Sequence, residues 1–481
     1  MATRLRGGLG ESLPSVQKFD VPLSEATTSS LEALQAFSMG LKVFREKGDA
    51  PSIPFYKRAI ELDPNFARAY SMLATIYNNL LQPSLALEYA TKAYGLRDRT
   101  TEREKLKIAS AYFEATGEID KRNQVYELWI ANYPRDATPR DNWGASYSST
   151  GQHDKALAEH QEALPLAPDS IIIYGNLGAE YLALNRLEEA KATFDQALAH
   201  KLDGGYLRQE TYYLAFLRGD TAQMEQQVAW GAGKPGDEDL LLSEQSDTEA
   251  YYGRLSRARD FSRRAVDSAV RADSKEAAAS WQVNAALREA EVGNTASGKQ
   301  GVTAALKLSP GRDVKVAAAL ALARIGDAPR ARALTDELAK NYPSNTLLKV
   351  YWLPTINAAI ELSKGNSSQA LVDLEAATPY ELGTPGNINY LYPAYVRGQA
   401  YLLAHNGSAA AAEFQKLLVH SGIVVNFVTG ALAHLQIGRA YAMAGDSAKA
   451  KAAYQDFFTL WKDADPDIPI LKQAKAEYAK L

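Results

Sequence analysis

Small and aromatic residues recur at fixed intervals in residues 174–200, YGNLGAEYLALNRLEEAKATFDQALAH. Gly178, Ala190 and Ala197 fall within two segments of helical periodicity that meet near Asn185. Residues this small allow two helices to approach closely, and large rings fill the space around such a contact. The intervals therefore predict a pair of packed helices, with rings around the contact supplied by Tyr174, Tyr181 and Phe194.

The same spacing returns along most of the chain. It is clear one unit earlier, at Trp143, Gly144 and Tyr147, and near the C-terminus at Gly438, Tyr441 and Tyr454. The order of residues resembles the tetratricopeptide repeat (TPR), a helix–turn–helix unit of about 34 residues. We therefore predict an all-α fold, an α-solenoid of about twelve helical hairpins, of which the one near 207–230 fits the pattern least.

Two stretches interrupt the rhythm, GAGKPGDEDL from residue 231 and TPYELGTPGNINYLYP from residue 378. The first is rich in glycine and is the predicted joint between two arrays. The final segment, DIPILKQAKAEYAKL, is expected to cap the last hairpin, because repeat arrays need a polar end. The predicted organisation is a lead-in at 1–30, an N-terminal TPR array at 31–230, a joint at 231–240, a divergent C-terminal array at 241–466 and a capping helix at 467–481.

Composition disfavours several classes of protein. Lysine and arginine total 53 against 57 acidic residues, so no strong field attracts nucleic acid or an acidic membrane. The absence of cysteine rules out disulfides, thiolate metal sites and cysteine nucleophiles. No apolar run approaches the roughly 20 residues of a membrane helix, and the N-terminus lacks a signal-peptide core. We expect a soluble chain, cytoplasmic when considered alone, with no nucleic-acid partner and no membrane insertion; its oligomeric state stays open.

Several fragments resemble catalytic or ligand-binding motifs. GNTASGKQ, from Gly293, fits part of a phosphate-binding loop, but that loop needs a preceding strand and a final serine or threonine. DADPD, from Asp463, resembles the start of a calcium loop but lacks its glycine and final glutamate. An inter-helix turn and a helix terminator are the favoured interpretations of the two.

No catalytic constellation is found elsewhere. The six histidines lack metal-ligand spacing, and His160 and His434 occupy aromatic positions of the repeat, where packing is expected. The basic segment RLSRARDFSRR, from Arg254, is expected to be a solvated helix face. We predict a non-catalytic chain with no cofactor and no metal.

The remaining candidate is the concave side of the stacked hairpins, where first helices form a groove for a peptide or a partner's helix. Asparagine suits this role, because its amide can both donate to and accept from a peptide backbone. The usual paired-lysine and asparagine clamp for a terminal carboxylate is not supported, since Asp141 and Ala145 stand where it would lie. By repeat register, the candidate groove residues are Asn78, Asn79, Lys107, Asn142, Asn176, Tyr392, Tyr395, Gln399 and Arg439.

A closer resemblance rests on loops as well as packing positions. Its segments are LGESLPSVQKFDVPLSEATTSSLEALQAFSMG, QVAWGAGKPGDEDLLLSEQSDTEAYYGRL, YPSNTLLKVYWLPTINAAIEL and LWKDADPDIPILKQAKAEYAKL. They resemble the C-terminal TPR region of bacterial membrane-anchored serine/threonine protein kinases; related tails occur on winged-helix transcriptional regulators. The resemblance implies a sensing or partner-binding half that normally follows a catalytic or DNA-binding domain and a membrane helix. The kinase domain is not in this sequence, so kinase activity is not carried over.

Two functions therefore stand as hypotheses. The favoured one is a non-catalytic TPR scaffold that binds a protein or peptide in its groove. The alternative is the detached sensor or regulatory half of a bacterial serine/threonine kinase or TPR-containing regulator, which would place the chain outside the cytoplasm if it follows a membrane anchor. RLRGGLGES, from Arg4, is expected to end a helix of another domain, so the chain is either a stand-alone relative or a truncated reading frame.

Overall fold

The computed structural model describes residues 28–386 and 390–481, and the predicted lead-in lies almost wholly outside these ranges. Within them the chain forms 26 α-helices and no strand. Internal contacts divide the chain into two compact units. Unit 1 contains the described residues up to Tyr147 together with Asp154–Asn176 and Ser344–Thr346, and unit 2 contains Ser148–His153, Leu177–Pro343 and Leu347–Leu481.

The helices up to the boundary within α9 are α1 (Leu31–Lys47), α2 (Asp49–Leu62), α3 (Ala67–Asn79), α4 (Pro83–Gly95), α5 (Glu102–Thr116), α6 (Ile119–Asn132), α7 (Ala137–Ser149), α8 (His153–Ala163) and α9 (Ile171–Ala183). Those that follow are α10 (Leu187–Ala199), α11 (Gly205–Arg218), α12 (Thr221–Gly231), α13 (Asp237–Tyr251), α14 (Leu255–Arg271), α15 (Lys275–Glu291), α16 (Thr295–Leu308), α17 (Arg312–Arg324), α18 (Ala328–Asn341), α19 (Leu353–Ser363), α20 (Ser367–Asp373), α21 (Tyr392–Leu403), α22 (Gly407–Val419), α23 (Ser421–Val424), α24 (Val428–Met443), α25 (Ser447–Leu460) and α26 (Pro469–Tyr478).

Consecutive helices pair into twelve hairpins across the described ranges, which confirms the predicted α-solenoid architecture. The first helices are the odd-numbered ones from α1 to α21 together with α24, and each is followed by its second helix; the short α23 lies between hairpins. The uncertain region near 207–230 is an ordinary hairpin of α11 and α12. The last helix, α26, packs on α25 at the place predicted for the capping helix.

Five of the hairpins share a close contact between a glycine on the first helix and a large ring on the second. A Cβ atom placed on Gly178 would lie 1.9 Å from Phe194 Cε1, and one on Gly144 would lie 2.5 Å from His160 Cε1. The same relation, always 16 residues apart, joins Gly40 to Tyr56, Gly398 to Phe414 and Gly438 to Tyr454. The sequence intervals are thus packing intervals, because any side chain at the glycine would occupy the volume of the ring.

Left-handed turns separate the two helices of a hairpin. Gly117 and Gly151 have φ values of 74° and 79°, a region that glycine adopts without steric cost. Asn185 takes the equivalent place in the α9–α10 turn with a φ of 56°. Asparagine tolerates this conformation better than most residues, so the turn persists without glycine.

In unit 2 the first helices enclose one another. Helix α24 contacts α13, α15 and α21, and a single apolar cluster runs through these helices. Most residues of α13, α15 and α17 are buried, as expected of helices that are covered on several sides. The inward face of these first helices is therefore occupied by the chain itself.

Polar residues inside unit 2 form two buried ion-pair groups. Arg288 pairs with Asp247, whose Oδ2 also accepts from Asn284 Nδ2 at 3.0 Å. Arg324 Nε donates to Glu291 Oε1 at 2.6 Å. These contacts satisfy charges that would otherwise be costly to bury.

A further polar group inside unit 2 has carboxylates without cations. Glu210 is 7 % exposed and has no hydrogen-bond or ion-pair partner among the described residues. Burial, with the nearby charges of Glu244 and Glu180, raises the pKa of Glu210 to about 8. Burial and Asp247 raise the pKa of Glu244 to about 7, although Gln209 and Asn426 donate hydrogen bonds to it. Glu210 is therefore mostly protonated in the folded chain at neutral pH.

The C-terminal segment closes onto the turns that follow α13 and α15. The backbone N–H of Asp465 donates to Gly253 O at 3.0 Å, and Asp465 Oδ2 accepts from the backbone N–H of Ser256 at 2.7 Å. Ile470 N–H donates to Val292 O at 3.2 Å. Hairpins distant in sequence are thereby joined within unit 2.

The division into units differs from the predicted domains. The boundary falls inside α9, after Asn176, rather than at residues 231–240. Residues 232–236 form a turn between α12 and α13, and Asp237 already belongs to α13. A glycine-rich interruption in the repeat thus coincides with one inter-helix turn inside unit 2.

Gly178→Leu is expected to lower the free energy of unfolding by about 1 to 3 kcal/mol or more, since it forces a side chain into the ring of Phe194. Thermal unfolding followed by circular dichroism measures the effect. Ala199→Leu is the matched control, because Ala199 is an exposed residue of the partner helix α10. Equal melting temperatures of the two variants would contradict the close contact between Gly178 and Phe194.

Glu210→Gln should make unit 2 less sensitive to pH. A carboxyl whose folded pKa exceeds its usual 4.5 favours folding below the unfolded pKa, and that contribution is lost as pH rises towards about 8. One such proton gives a slope of about 1.4 kcal/mol per pH unit between the two pKa values. Calorimetry at several pH values between 5 and 9 should show a flatter decline for Glu210→Gln than for the parent. The exposed Glu375→Gln is the control, and parallel profiles of all three proteins would contradict the buried carboxyl.

Candidate partner-binding site

The candidate residues of unit 1 occupy a repeated register on the first helices. Asn142 on α7 and Asn176 on α9 are 34 residues apart, as are Lys107 on α5 and Asp141 on α7. Because the hairpins repeat at this interval, equivalent residues on consecutive first helices lie side by side. The register therefore brings these four residues onto one face.

Asp141 is the centre of a polar cluster at the α7–α9 contact. Its Oδ1 lies 2.8 Å from His160 Nδ1 and accepts from Asn176 Nδ2 at 3.0 Å. Asp141 is 5 % exposed and His160 is 1 % exposed. The packing role predicted for His160 is confirmed by its contact with Gly144. Sequence reasoning missed its hydrogen bond to Asp141, although a histidine in a ring position was the available signal.

Lys107 is half-buried and lacks an anionic partner. Its Nζ lies 3.9 Å from Met72 Sδ, and no described carboxylate oxygen lies within ion-pair distance. Burial, together with the charges of Arg68 and Arg103, lowers the pKa of Lys107 to about 8, and the charges of Asp136 and Glu104 offset only part of this shift. The ammonium is therefore poorly solvated and poorly compensated.

The three other candidate asparagines of unit 1 differ in what they offer a partner. Asn78 and Asn79 are exposed at the end of α3, where Asn79 Nδ2 donates to Asp49 Oδ1 at 3.0 Å. Asn142 is half-buried and its side chain has no hydrogen-bond partner among the described residues. Its amide can therefore both donate to and accept from an incoming backbone.

The candidates of unit 2 do not line an open surface. Tyr392 and Tyr395 have no exposed area, and Tyr392 OH donates to Glu291, the partner of Arg324. Burial raises the pKa of Tyr392 well above its usual value, so the hydroxyl stays protonated. The register prediction placed both tyrosines on the inner side of α21, and that side is covered by other helices of unit 2.

Gln399 and Arg439 are likewise engaged or enclosed. The Oε1 atom of Gln399 is buried without a hydrogen-bond partner in the described chain. Arg439 donates from Nε and Nη2 to the two carboxylate oxygens of Glu477 at 2.9 and 3.0 Å. Glu477 belongs to the capping helix α26, and its Oε2 also accepts a hydrogen bond from Tyr454 OH at 2.8 Å. Arg439 thus holds the cap.

The other sequence fragments have structural positions. Gly293 of GNTASGKQ lies in the turn between α15 and α16 with a φ of 90°, and a helix rather than a strand precedes it. Asp465 of DADPD makes the closing contacts with Gly253 and Ser256. Each arginine of residues 254–264 has a carboxylate within ion-pair distance, namely Glu249, Asp260 or Glu289.

Two further kinds of site are absent from the described residues. No group of three or more histidine, aspartate or glutamate side chains is placed to hold a metal ion. No described helix has the length and apolar character needed to cross a membrane.

Comparison with known proteins gives matches of two kinds. Tetratricopeptide repeat models match residues 55–88, 124–203 and 432–463. Superkiller protein 3 of Schizosaccharomyces pombe is 24% identical over an alignment of 276 residues, and the alignment covers 54% of this chain and 20% of that protein. The chain thus matches about one fifth of the length of this relative.

Similar solved structures include yeast Tom70 and a human IFIT1 dimer. Yeast Tom70 is 15% identical over 93% of this chain and 95% of its own, with a TM-score of 0.31. A human IFIT1 dimer with PPP-AAAA is 17% identical over 76% of this chain and 85% of its own, with a TM-score of 0.41. The repeat models and the hairpin geometry agree on the building unit: this chain contains tetratricopeptide repeats.

Proposed function

We propose that the chain is a non-catalytic TPR scaffold that binds an extended peptide or a helix of a partner protein. The binding face consists of the first helices α5 and α7 of unit 1, with Lys107 and Asn142 as its main polar contacts. Repeat proteins of this class commonly mediate protein interactions through such a face. The proposal involves no nucleic acid, cofactor or catalytic step, and it locates the chain in the cytoplasm.

One observation carries this proposal. Asn142 has a free amide on a half-buried face, whereas Asn176, at the same register one repeat later, is bonded to Asp141. Amides with unused donors and acceptors bind peptide groups without first breaking an internal bond. In unit 2, Tyr392 and Arg439 are already bonded and Tyr395 has no exposed area. The unbonded Oε1 atom of Gln399 is buried.

A second proposal concerns context. The four segments that resemble the TPR tails of bacterial membrane-anchored serine/threonine kinases favour a role as the sensor half of such a kinase, or of a TPR-containing regulator. Under this proposal the chain lies outside the cytoplasm if a membrane anchor precedes it. A kinase or membrane segment encoded immediately upstream in frame would support it, and a separate gene without such a neighbour would refute it.

Asn142→Ala should weaken partner binding while leaving the fold intact. Loss of the hydrogen bonds of one amide costs about 0.5 to 1.5 kcal/mol of binding free energy, a roughly two- to tenfold weaker Kd. A pulldown with mass spectrometry first identifies the partner, and calorimetric titration then compares the variants.

Asn176→Ala is the contrasting variant. It removes a donor from the buried Asp141 carboxylate, so its melting temperature should fall by more than that of Asn142→Ala. If Asn142→Ala binds the identified partner as tightly as the parent, this face of unit 1 is not the recognition surface.

A further inference from the structure

Side chains 35 residues apart meet on consecutive first helices. In unit 1, Asn176 Nδ2 donates to Asp141 Oδ1 at 3.0 Å. In unit 2, Gln209 Nε2 donates to Glu244 Oε1 at 2.8 Å. These contacts follow from the repeat interval and the stacking of neighbouring hairpins. We call the series of side-chain positions 35 residues apart on consecutive first helices the polar ladder.

Lys107 and Asn142 stand in this same 35-residue relation, on α5 and α7 of unit 1, yet no hydrogen bond joins them. Lys107 instead turns towards the preceding hairpin, where its Nζ contacts the sulfur of Met72 at 3.9 Å. A thioether is a weak acceptor and no substitute for a carboxylate. One position of the ladder is therefore left with an ammonium and an amide that have unused bonding capacity.

The surrounding charges leave one positive charge uncompensated. Arg68 lies 3.4 Å from Glu104, and Arg103 lies 2.7 Å from Asp136. Each guanidinium thus has its own carboxylate, and Lys107 has none. A single carboxylate supplied from outside would complete the set, and by stabilising the ammonium it would raise the pKa of Lys107 from about 8.

The neighbouring register positions decide which kind of carboxylate fits. The position equivalent to Lys107 on α7 is Asp141, a buried carboxylate that already accepts two hydrogen bonds. The next helix therefore lacks the second cation that would hold a terminal carboxylate from both sides. Asp141, which stands there instead, would repel that carboxylate. The face instead offers one cation beside a free amide, which suits a side-chain carboxylate followed by a peptide group.

We propose that Lys107 and Asn142 form a subsite for an internal aspartate or glutamate of an extended partner peptide. The Lys107 ammonium donates to the side-chain carboxylate, and the Asn142 amide bonds the adjacent backbone. This inference rests on the proposed function of unit 1 and adds the chemical class of the partner.

The test uses the full chain and an array of twelve-residue peptides that are acetylated and amidated at their ends, beside a second set with the same sequences and a free C-terminus. A central position is fixed as Glu, Gln or Lys, and the remaining positions are randomised. The tightest Glu peptide and its Gln counterpart are then titrated against the parent chain. The Glu peptide should bind about tenfold more tightly or better, and its advantage should shrink at high salt.

Variants of the chain test whether this preference belongs to Lys107. With Lys107→Met, the Glu and Gln peptides should bind equally, because the partner cation is gone. Lys107→Glu should instead favour the Lys peptide. Lys105→Met is the matched control on the same helix and should keep the Glu preference, since Lys105 already pairs with Glu102. Circular dichroism confirms that each variant is folded.

The outcomes separate the two proposals. Blocked peptides that bind with no preference for Glu, or a preference that survives Lys107→Met, would overturn the acidic subsite and leave the peptide-binding proposal standing. Binding only by peptides with a free C-terminus would show that the carboxylate is terminal and would also overturn it. If no peptide binds and Asn142→Ala leaves capture of the identified partner unchanged, both proposals fail.

Discussion

The contact between a small residue on one helix and a ring on the next sets the spacing of every hairpin in which it occurs. At Gly178 and Gly144 there is no room for a side chain, because Phe194 and His160 fill that volume. With the hairpin spacing fixed, neighbouring hairpins repeat at a nearly constant interval, and first helices lie side by side in constant register. The polar ladder along these helices is a consequence of that packing.

The two units use the same face of the first helices differently. In unit 1, Lys107 and Asn142 remain half-buried, and part of their bonding capacity is unused. In unit 2 the equivalent face is covered, so its polar residues must find partners inside. Arg288 and Arg324 do so through Asp247 and Glu291, whereas Glu210 avoids an unpaired charge by keeping its proton.

The sequence was sufficient for the hairpins and insufficient for their enclosure. A ring 16 residues after a glycine specifies a local contact, so the pairs Gly178–Phe194 and Gly438–Tyr454 could be predicted from spacing alone. Tyr392 is hydrogen-bonded to Glu291, which lies 101 residues earlier in the chain, and no local pattern predicts that contact. Repeat register gives the side of a helix on which a residue lies. It does not give the curvature that covers this side, so repeat register alone predicts a groove at the inward positions of α21 and α24, which the fold encloses.

An unpaired lysine on a half-buried face is costly, and this cost bears on function. Burial disfavours the ammonium of Lys107, and a methionine or leucine there would pack beside Met72 without that penalty. Two other positions of the ladder differ, because Asn176 is bonded to Asp141 and Gln209 is bonded to the buried Glu244. A local arrangement that lowers stability without an internal gain is the pattern expected of a functional site, where a ligand supplies the missing partner. The physical argument for a binding face in unit 1 thus rests on the unmet bonding of Lys107 and Asn142 more than on the shape of the repeat.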